Sequence, residues 1–217
     1  MGGKRQQLAG YAVGAIVVVI AVVAAIALLA GGSSNGGNEV AAEILPGGGS
    51  YPEPSDAESV AAAAKAAGCE LDSYRAKGRT PHSVDINERI EWPTKPPAGG
   101  RHYQEWADDG SYEQAPNINM LVHSLEHGRV IIWFKKNLTA DQRAALKAYY
   151  DDDGYQLLLT PDETGSKYAV AATAWNGAPQ PDGTGRLLGC PKYNDEIFTA
   201  LETFKDEHRS KGPEAVP

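Results

Sequence analysis

The feature that most constrains this chain is an uncharged apolar run near its N-terminus. Residues 8–30, LAGYAVGAIVVVIAVVAAIALLA, contain no charged side chain. At a helical rise of about 1.5 Å per residue, a run of this length crosses a hydrocarbon core about 30 Å thick. The run therefore predicts one transmembrane helix over residues 8–30, which makes the membrane the first expected partner. The sequence after it is too polar for a second span.

The flanks of this run predict its orientation. Lys4 and Arg5 precede it without a nearby acidic residue, and positively charged flanks stay cytoplasmic. We expect residues 1–7 to form a cytoplasmic tail and the rest of the chain to lie outside the cell membrane, in a single-pass arrangement. A cleaved signal peptide would have an apolar region of only about 7 to 15 residues. Ala25-Ile26-Ala27 resembles a cleavage site, but it lies inside the run, so a retained signal-anchor is favoured over cleavage.

The remaining chain is predicted to contain a linker and one folded domain. Residues 31–54 are rich in Gly, Ser and Pro, which is typical of a flexible linker. We expect residues 55–210 to form one globular domain, because their composition is that of an ordinary soluble protein, and residues 211–217 to form a C-terminal tail. Ser55 and Glu58 have the spacing of a capping box, which predicts a helix over residues 56–67.

The net charge of the domain and its two cysteines limit the partners and the compartment that we expect for it. Because Lys4 and Arg5 account for two of the 20 basic residues, residues 31–217 carry 18 Lys and Arg against 28 Asp and Glu, a net charge of −10. This charge disfavours nucleic acid and anionic lipid as partners. Cys69 and Cys190 both fall on the oxidising side, where paired thiols form disulfides. We expect a Cys69–Cys190 disulfide; two separate buried thiols are the alternative.

The second half of the chain predicts alternating strands and helices. The predicted elements, in chain order, are an apolar strand region over 120–134, a helix over 139–151, strands over 155–160 and 167–175, and a closing helix over 194–208. The order β-α-β-β-α predicts an α+β fold, with a mixed sheet and helices packed on one face. Between residues 80 and 116, prolines and glycines predict loops and short strands.

Histidines carry the clearest chemical signal. Four of the five lie between residues 82 and 127: His82, His102, His123 and His127. His123 and His127 are four residues apart, which places both rings on one face of a helix or on one side of a strand. His102 lies in PPAGGRHY, where prolines and glycines restrict the backbone and leave room for a close approach. Imidazole suits zinc, copper, iron and nickel, so the four histidines predict a transition-metal site.

Two neighbouring residues extend the candidate ligand set. Met120 offers a thioether, which favours copper(I), so we consider copper and zinc as the candidate metals. Glu126 is a candidate ligand, an acceptor that orients an imidazole, or a general base for bound water. In LVHSLEH, Glu126 precedes the second histidine rather than following the first, which disfavours a protease of the HExxH type. The sequence contains no fingerprint of an organic cofactor.

Several segments together resemble a known family. AAGCEL, RTPHSVDI, WPTKPPAGGRHY, LVHSLEHGRVIIWF and LLGCPKY are similar, in this order, to the family named domain of unknown function 3105. The resemblance covers roughly residues 56–208. It implies a mainly actinobacterial protein with one N-terminal span, an extracytoplasmic domain and no assigned activity. By position, the family motifs give weight to His82, His102, His123, Glu126, His127 and Gly128, and the paired cysteines match Cys69 and Cys190.

Three functional hypotheses follow from these observations. The first is a membrane-anchored extracytoplasmic domain that binds a transition metal through its histidines. The second is a non-catalytic module that docks on another envelope protein and uses the histidines as buried hydrogen-bond partners. The third is a hydrolase that uses Glu126 as a base, so the sequence leaves open whether the protein is an enzyme.

Overall fold

A computed structural model of the chain describes residue 45, residues 47–178 and residues 181–214. The predicted cytoplasmic tail, the predicted transmembrane helix over residues 8–30 and most of the predicted linker lie outside these residues. Within them, none of the helices has the length and apolar character that a membrane span requires.

The described chain contains four helices and six strands. The helices are α1 (Val60–Ala67), α2 (Ile118–Glu126), α3 (Ala140–Asp152) and α4 (Ile197–His208). The strands are β1 (Glu70–Arg75), β2 (Gly110–Ser111), β3 (Val130–Phe134), β4 (Leu157–Pro161), β5 (Val170–Asn176) and β6 (Thr184–Cys190). They form one sheet in the order β1-β6-β5-β3-β4-β2, in which β4 is parallel to β3 and β2 and the other neighbours are antiparallel. The predicted α+β class and mixed sheet are confirmed. The predicted strand region over 120–134 is wrong in its first part, where the helix α2 forms, and correct in its last part, which is the strand β3.

Alternating side chains along β3 face two different hydrophobic clusters. Val130, Ile132 and Phe134 lie in the cluster that α1, α3 and α4 cover, whereas Ile131 and Trp133 lie in the cluster that contains α2. The prediction of helices on one face is therefore correct for three helices and wrong for α2. Every residue of β3 is buried, so both faces of this central strand need a cover, and α2 supplies the second one.

Local capping signals determine where the helices begin. Thr139 and Gln142 form a capping box, and α3 begins one residue after its predicted start. The predicted start of α1 is wrong, because Ser59 rather than Ser55 accepts the hydrogen bond that caps it. The backbone N–H of Ser55 instead donates to Thr199 Oγ1 in α4, which ties this segment to the closing helix.

The folded unit begins before residue 55. Leu45 is buried in the cluster that α1, α3 and α4 cover. Tyr51 packs against Tyr149 and Phe198, with ring centroids 5.4 and 5.3 Å apart. These described residues of the predicted linker are therefore part of the domain rather than a free tether.

Cys69, which follows α1, and Cys190, which ends β6, form the expected disulfide. The two cysteines are 121 residues apart in sequence, so the bond closes a loop that contains the whole sheet. Structural disulfides form and persist mainly outside the cytoplasm. The bond therefore indicates an extracytoplasmic domain.

Candidate metal centre

The histidines converge on the sheet face that α2 covers. His123 and Glu126 belong to α2, and His127 is its C-cap residue. His82 and His102 come from the long segment between β1 and β2. Two backbone hydrogen bonds, from Ser83 N–H to His102 O (2.8 Å) and from Gln104 N–H to Ser83 O (3.0 Å), hold their two loops together. The rings of His82 and His102 consequently lie side by side, with centroids 4.6 Å apart.

A glycine pair lets the His102 loop approach the sheet. Gly99 and Gly100 have φ angles of 135° and 124°, which residues with a Cβ rarely adopt. A Cβ atom on Gly99 would lie only 2.6 Å from the indole of Trp175 in β5. His102 packs edge-to-face on the same indole, with centroids 5.7 Å apart, and is completely buried. The close approach expected from PPAGGRHY is therefore confirmed.

Three imidazoles surround one carboxylate oxygen. Glu126 Oε2 lies 3.0 Å from His102 Nε2, 3.3 Å from His82 Nε2 and 3.8 Å from His123 Nε2. Around a tetrahedral ion with bonds of about 2.0–2.2 Å, ligand atoms are about 3.3–3.6 Å apart. The three distances from Oε2 are close to this spacing, and all four ligand atoms lie within 4.8 Å of one another. We term His82, His102, His123 and Glu126 the inner cluster.

Backbone carbonyls determine which ring nitrogen faces this cluster. His102 Nδ1 lies 2.6 Å from Gly100 O, and His123 Nδ1 lies 2.9 Å from Tyr103 O. A carbonyl oxygen can only accept, so each Nδ1 carries a proton and donates it. In the neutral ring, Nε2 then carries a lone pair. That of His102 has no partner among the described residues, whereas that of His123 accepts from His127 Nε2 at 3.1 Å. Metal-binding histidines have this arrangement, in which the second ring nitrogen donates to a carbonyl or carboxylate.

His102 Nε2 and Glu126 Oε2 are both buried, and neither has a satisfactory hydrogen-bond partner among the described residues. Two acceptors at 3.0 Å repel each other unless a proton or a metal ion lies between them. Because Nδ1 already carries a proton, a second one would turn the buried His102 ring into an imidazolium. The pair therefore fits either a buried imidazolium–carboxylate pair or two ligands of one cation.

Arg79 holds the other oxygen of Glu126, with Nε 2.5 Å from Oε1. Burial alone would raise the pKa of Glu126, but the neighbouring side chains of His102, Arg79 and His82 outweigh it and lower the pKa. Glu126 is therefore an anion at neutral pH, and Arg79 orients it with Oε2 towards the histidines. Sequence reasoning missed Arg79, although it lies three residues before His82 in the motif segment.

The protonation state of the histidines on α2 also suits a metal. Burial, followed by the charges of His102 and His127, lowers the pKa of His123 to about 4. Burial is likewise the largest influence that lowers the pKa of His127. Both rings are therefore neutral at pH 7, and neutral imidazole is the form that binds metal ions.

His127 belongs to a second group of residues. Its Nε2 lies 3.1 Å from His123 Nε2 and 3.7 Å from Glu214 Oε2. The ligand atoms of His123, Glu126, His127 and Glu214 lie within 4.8 Å of one another, and we term this set the outer cluster. The structure thus brings all four predicted histidines together, but in two overlapping groups. Sequence reasoning missed Glu214, which falls in the predicted tail.

The segment that carries Glu214 crosses the C-terminal end of α2. Three backbone hydrogen bonds hold it: Ser210 N–H to Gly128 O (2.8 Å), Gly177 N–H to Lys211 O (2.8 Å) and Glu214 N–H to Glu126 O (3.1 Å). We term residues 210–214 the strap. Residues 211–214 are therefore part of the folded domain rather than a free tail.

A cavity of about 420 Å³ opens beside both clusters. Its lining consists of His82, Gln104, Trp106, His123, His127, Arg129 and Glu214. The half-exposed ring of Trp106 lies 4.9 Å from that of His127 and 5.7 Å from that of His123. His102 and Glu126 lie behind this lining. Met120, the predicted thioether ligand, packs against the hydrophobic cluster of the α2 face.

The fold and the site define an α+β domain with one disulfide and a buried histidine–glutamate cluster. The family described as protein of unknown function (DUF3105) matches residues 83–216, more than half of the chain, and the chain belongs to this family. The match confirms the family that the sequence resembles. It begins directly after His82, so Cys69 and His82 lie outside it, and it includes Glu214. No curated protein and no solved structure matches the chain.

Proposed function

We propose that this domain binds one divalent transition-metal ion at the inner cluster, on a chain anchored in the cell membrane by residues 8–30. The observation that supports this best is the pair His102 Nε2 and Glu126 Oε2, two buried acceptors 3.0 Å apart. An ion between them would satisfy both lone pairs and compensate the buried negative charge of Glu126.

The chemistry of the ligands favours zinc. Three imidazole nitrogens and one carboxylate oxygen form a four-ligand set of the kind that zinc takes in tetrahedral sites. Met120, whose thioether would favour copper(I), packs against the hydrophobic cluster of the α2 face. Copper(II) also binds imidazole, and more tightly than zinc in most sites, so loading experiments need both metals.

Four protein ligands favour metal holding over hydrolysis. A catalytic zinc site keeps one position open for water, whereas a site with four protein ligands is closed. Glu126 is fully buried between Arg79 and the histidines and does not line the cavity, so it is poorly placed to act as a base on a substrate. The site therefore supports metal storage, transport or structural binding better than the hydrolase hypothesis.

Elemental analysis of the untagged full-length chain tests this proposal. The protein is incubated with Zn²⁺ or Cu²⁺, desalted and compared with His102→Ala and His123→Ala variants. We expect about one ion per wild-type chain and a loss of more than about 90% of it in either variant. His208→Ala is the matched control, because His208 is also buried but belongs to neither cluster.

Circular dichroism of each variant separates ligand loss from unfolding. If His102→Ala does not fold, His82→Ala replaces it, because the His82 side chain is 28% exposed. A wild-type chain without bound metal would refute the proposal, as would folded cluster variants that keep the full metal content. The interaction-module hypothesis predicts the first of these results together with a lower stability of the histidine variants.

A further inference from the structure

We infer that the inner and outer clusters are two alternative positions of a single metal ion, and that His127 and Glu214 form a loading position from which the ion moves inward. The inference rests on the proposed function, because it requires that the inner cluster binds a metal. It adds Glu214 and the strap to the site and assigns the two clusters an order.

The two clusters cannot both hold an ion with a complete ligand set. His123 Nε2 belongs to both, and its Nδ1 donates to Tyr103 O, so the ring offers one lone pair. Glu126 also belongs to both, and Arg79 occupies its Oε1. One lone pair on His123 binds one ion at a time. The shared ligand therefore argues for two exclusive positions rather than for a two-metal centre.

The two positions differ in how deeply their ligands are buried, and this difference indicates the order in which an ion reaches them. His102 and Glu126, at the inner position, are completely buried. Glu214, at the outer position, has a side chain that is 40% exposed, and it lines the cavity together with His127. An ion arriving from solvent through this cavity meets Glu214, His127 and His82 at its lining, and it reaches His102 and Glu126 only behind them.

Movement between the positions is an exchange of ligands. The bonds from the ion to His127 and Glu214 break, and bonds to His82 and His102 form. His123 stays bound throughout, because it is common to both sets. The ion keeps its oxidation state. Because His123 Nδ1 donates to Tyr103 O, His127 Nε2 is the donor in its hydrogen bond to His123 Nε2, and binding of an ion at His127 Nε2 moves that proton to His127 Nδ1. Because His123 and Glu126 belong to both sets, the two positions are adjacent and the transfer is a short step.

The strap holds Glu214 in place for this role. The backbone N–H of Glu214 donates to the backbone carbonyl oxygen of Glu126. The backbone of a residue in the inner cluster therefore positions a carboxylate of the outer cluster. A free tail would present Glu214 only part of the time. The strap instead keeps a carboxylate in the cavity lining, where its negative charge attracts cations.

Rapid mixing of the metal-free, untagged full-length chain with Co²⁺ tests the inference. Co²⁺ is a spectroscopic substitute for Zn²⁺, and its visible bands report the coordinating atoms. We expect a fast phase with a rate proportional to the Co²⁺ concentration and a slower phase independent of it. Glu214→Gln and His127→Gln are expected to remove the fast phase and to slow uptake at least about tenfold, while the final content stays near one ion per chain. Glu207→Gln is the control, because Glu207 is exposed and outside both clusters.

Different results overturn the two proposals separately. Uptake by Glu214→Gln at the wild-type rate, with one ion finally bound, would overturn the loading position and leave the inner site intact. Two ions per chain at saturation would also overturn the exclusive positions. If the wild-type chain bound neither Co²⁺ nor Zn²⁺, both the loading position and the proposed function would be wrong.

Discussion

Gly212 lies so close to the end of α2 that a Cβ atom on it would be 2.2 Å from the carbonyl oxygen of Glu126. The neighbouring N–H of Gly128 would be 2.3 Å away, so the obstacle is backbone and cannot rotate aside. Only glycine lets the strap pass here without a shift. The position of Glu214 in the outer cluster therefore depends on a residue that has no side chain and binds nothing itself.

Substituting Gly212 tests this dependence. Gly212→Ala is expected to displace the strap and to lower the free energy of unfolding by about 1–3 kcal/mol, the usual effect of forcing an extra methyl group into a packed site. Urea unfolding of the metal-free protein measures the change. Gly47→Ala is the matched control, because a Cβ atom at Gly47 would meet no atom within 4 Å. Equal stabilities of the two variants would contradict the packing described for the strap.

Replacing Arg79 tests its role in orienting Glu126. Arg79→Gln removes the cation that holds Oε1, and we expect metal affinity to fall by about 10–100-fold, the usual effect of losing a partner of a ligand. The stoichiometry at saturating metal should stay the same, because Arg79 is not itself a ligand. Competition with a chelator of known affinity measures the effect. Arg89→Gln, at an exposed position, should bind like the wild type, and equal binding by Arg79→Gln would contradict the role.

The disulfide is expected to make a large contribution to stability. In the chain-entropy model, a loop on the order of 100 residues contributes up to about 4.7 kcal/mol by restricting the unfolded chain. Cys69→Ala/Cys190→Ala should therefore unfold at a much lower urea concentration than the oxidised wild type. A reducing agent should lower the midpoint of the wild type to that of the variant and leave the variant unchanged. A wild-type midpoint that does not respond to complete reduction would contradict this expectation.

The metal-free domain is expected to lose stability as the pH falls below about 6.5. Burial, then the charges of Arg186 and Lys211, lowers the pKa of His208 to about 4, whereas an exposed histidine has a pKa of about 6.5. Between these values the unfolded chain binds a proton that the folded chain does not. The free energy of unfolding therefore decreases with falling pH, by up to about 3 kcal/mol for this residue.

His208→Gln isolates this contribution, because the residue lies outside both clusters. Urea unfolding at pH 7.5 and pH 5 should show a smaller difference for the variant than for the wild type. A residual difference should remain, because burial lowers the pKa of His123 in the same direction. An identical pH dependence of the two proteins would show that His208 does not titrate as its surroundings indicate.

Local patterns predicted part of this structure and missed the elements that only tertiary contacts reveal. The helix α3 was predicted to within about one residue at each end, because Thr139 and the apolar spacing are local signals. The edge strand β1 was missed, because most of its side chains are exposed and polar and show no apolar alternation. The strand β6 was missed as well; its pairing with β1 and β5 joins segments far apart in sequence.

The candidate site, like the fold, was predicted only in part from local patterns. His123, Glu126 and His127 were predicted from their close spacing in sequence, which brings the two rings together on a helix or on a strand, and the structure has the helix. His102 was predicted because glycines and prolines mark its loop. Glu214 has no sequence signal that connects it with His127, since the strap reaches α2 only through backbone hydrogen bonds across the fold. The division of the histidines into two groups likewise depends on which loops the Ser83–Tyr103 bridge brings together.

The position of the strap has a practical consequence for preparing the protein. Glu214 is only three residues before Pro217, and it lines the cavity beside the outer cluster. A hexahistidine tag joined after Pro217 would bring additional imidazoles to the cavity mouth. Metal contents measured on such material would include ions bound by the tag and nickel retained from an affinity column. Affinity handles therefore belong at the opposite end of the chain, or on a segment that is cut away before the first metal is added.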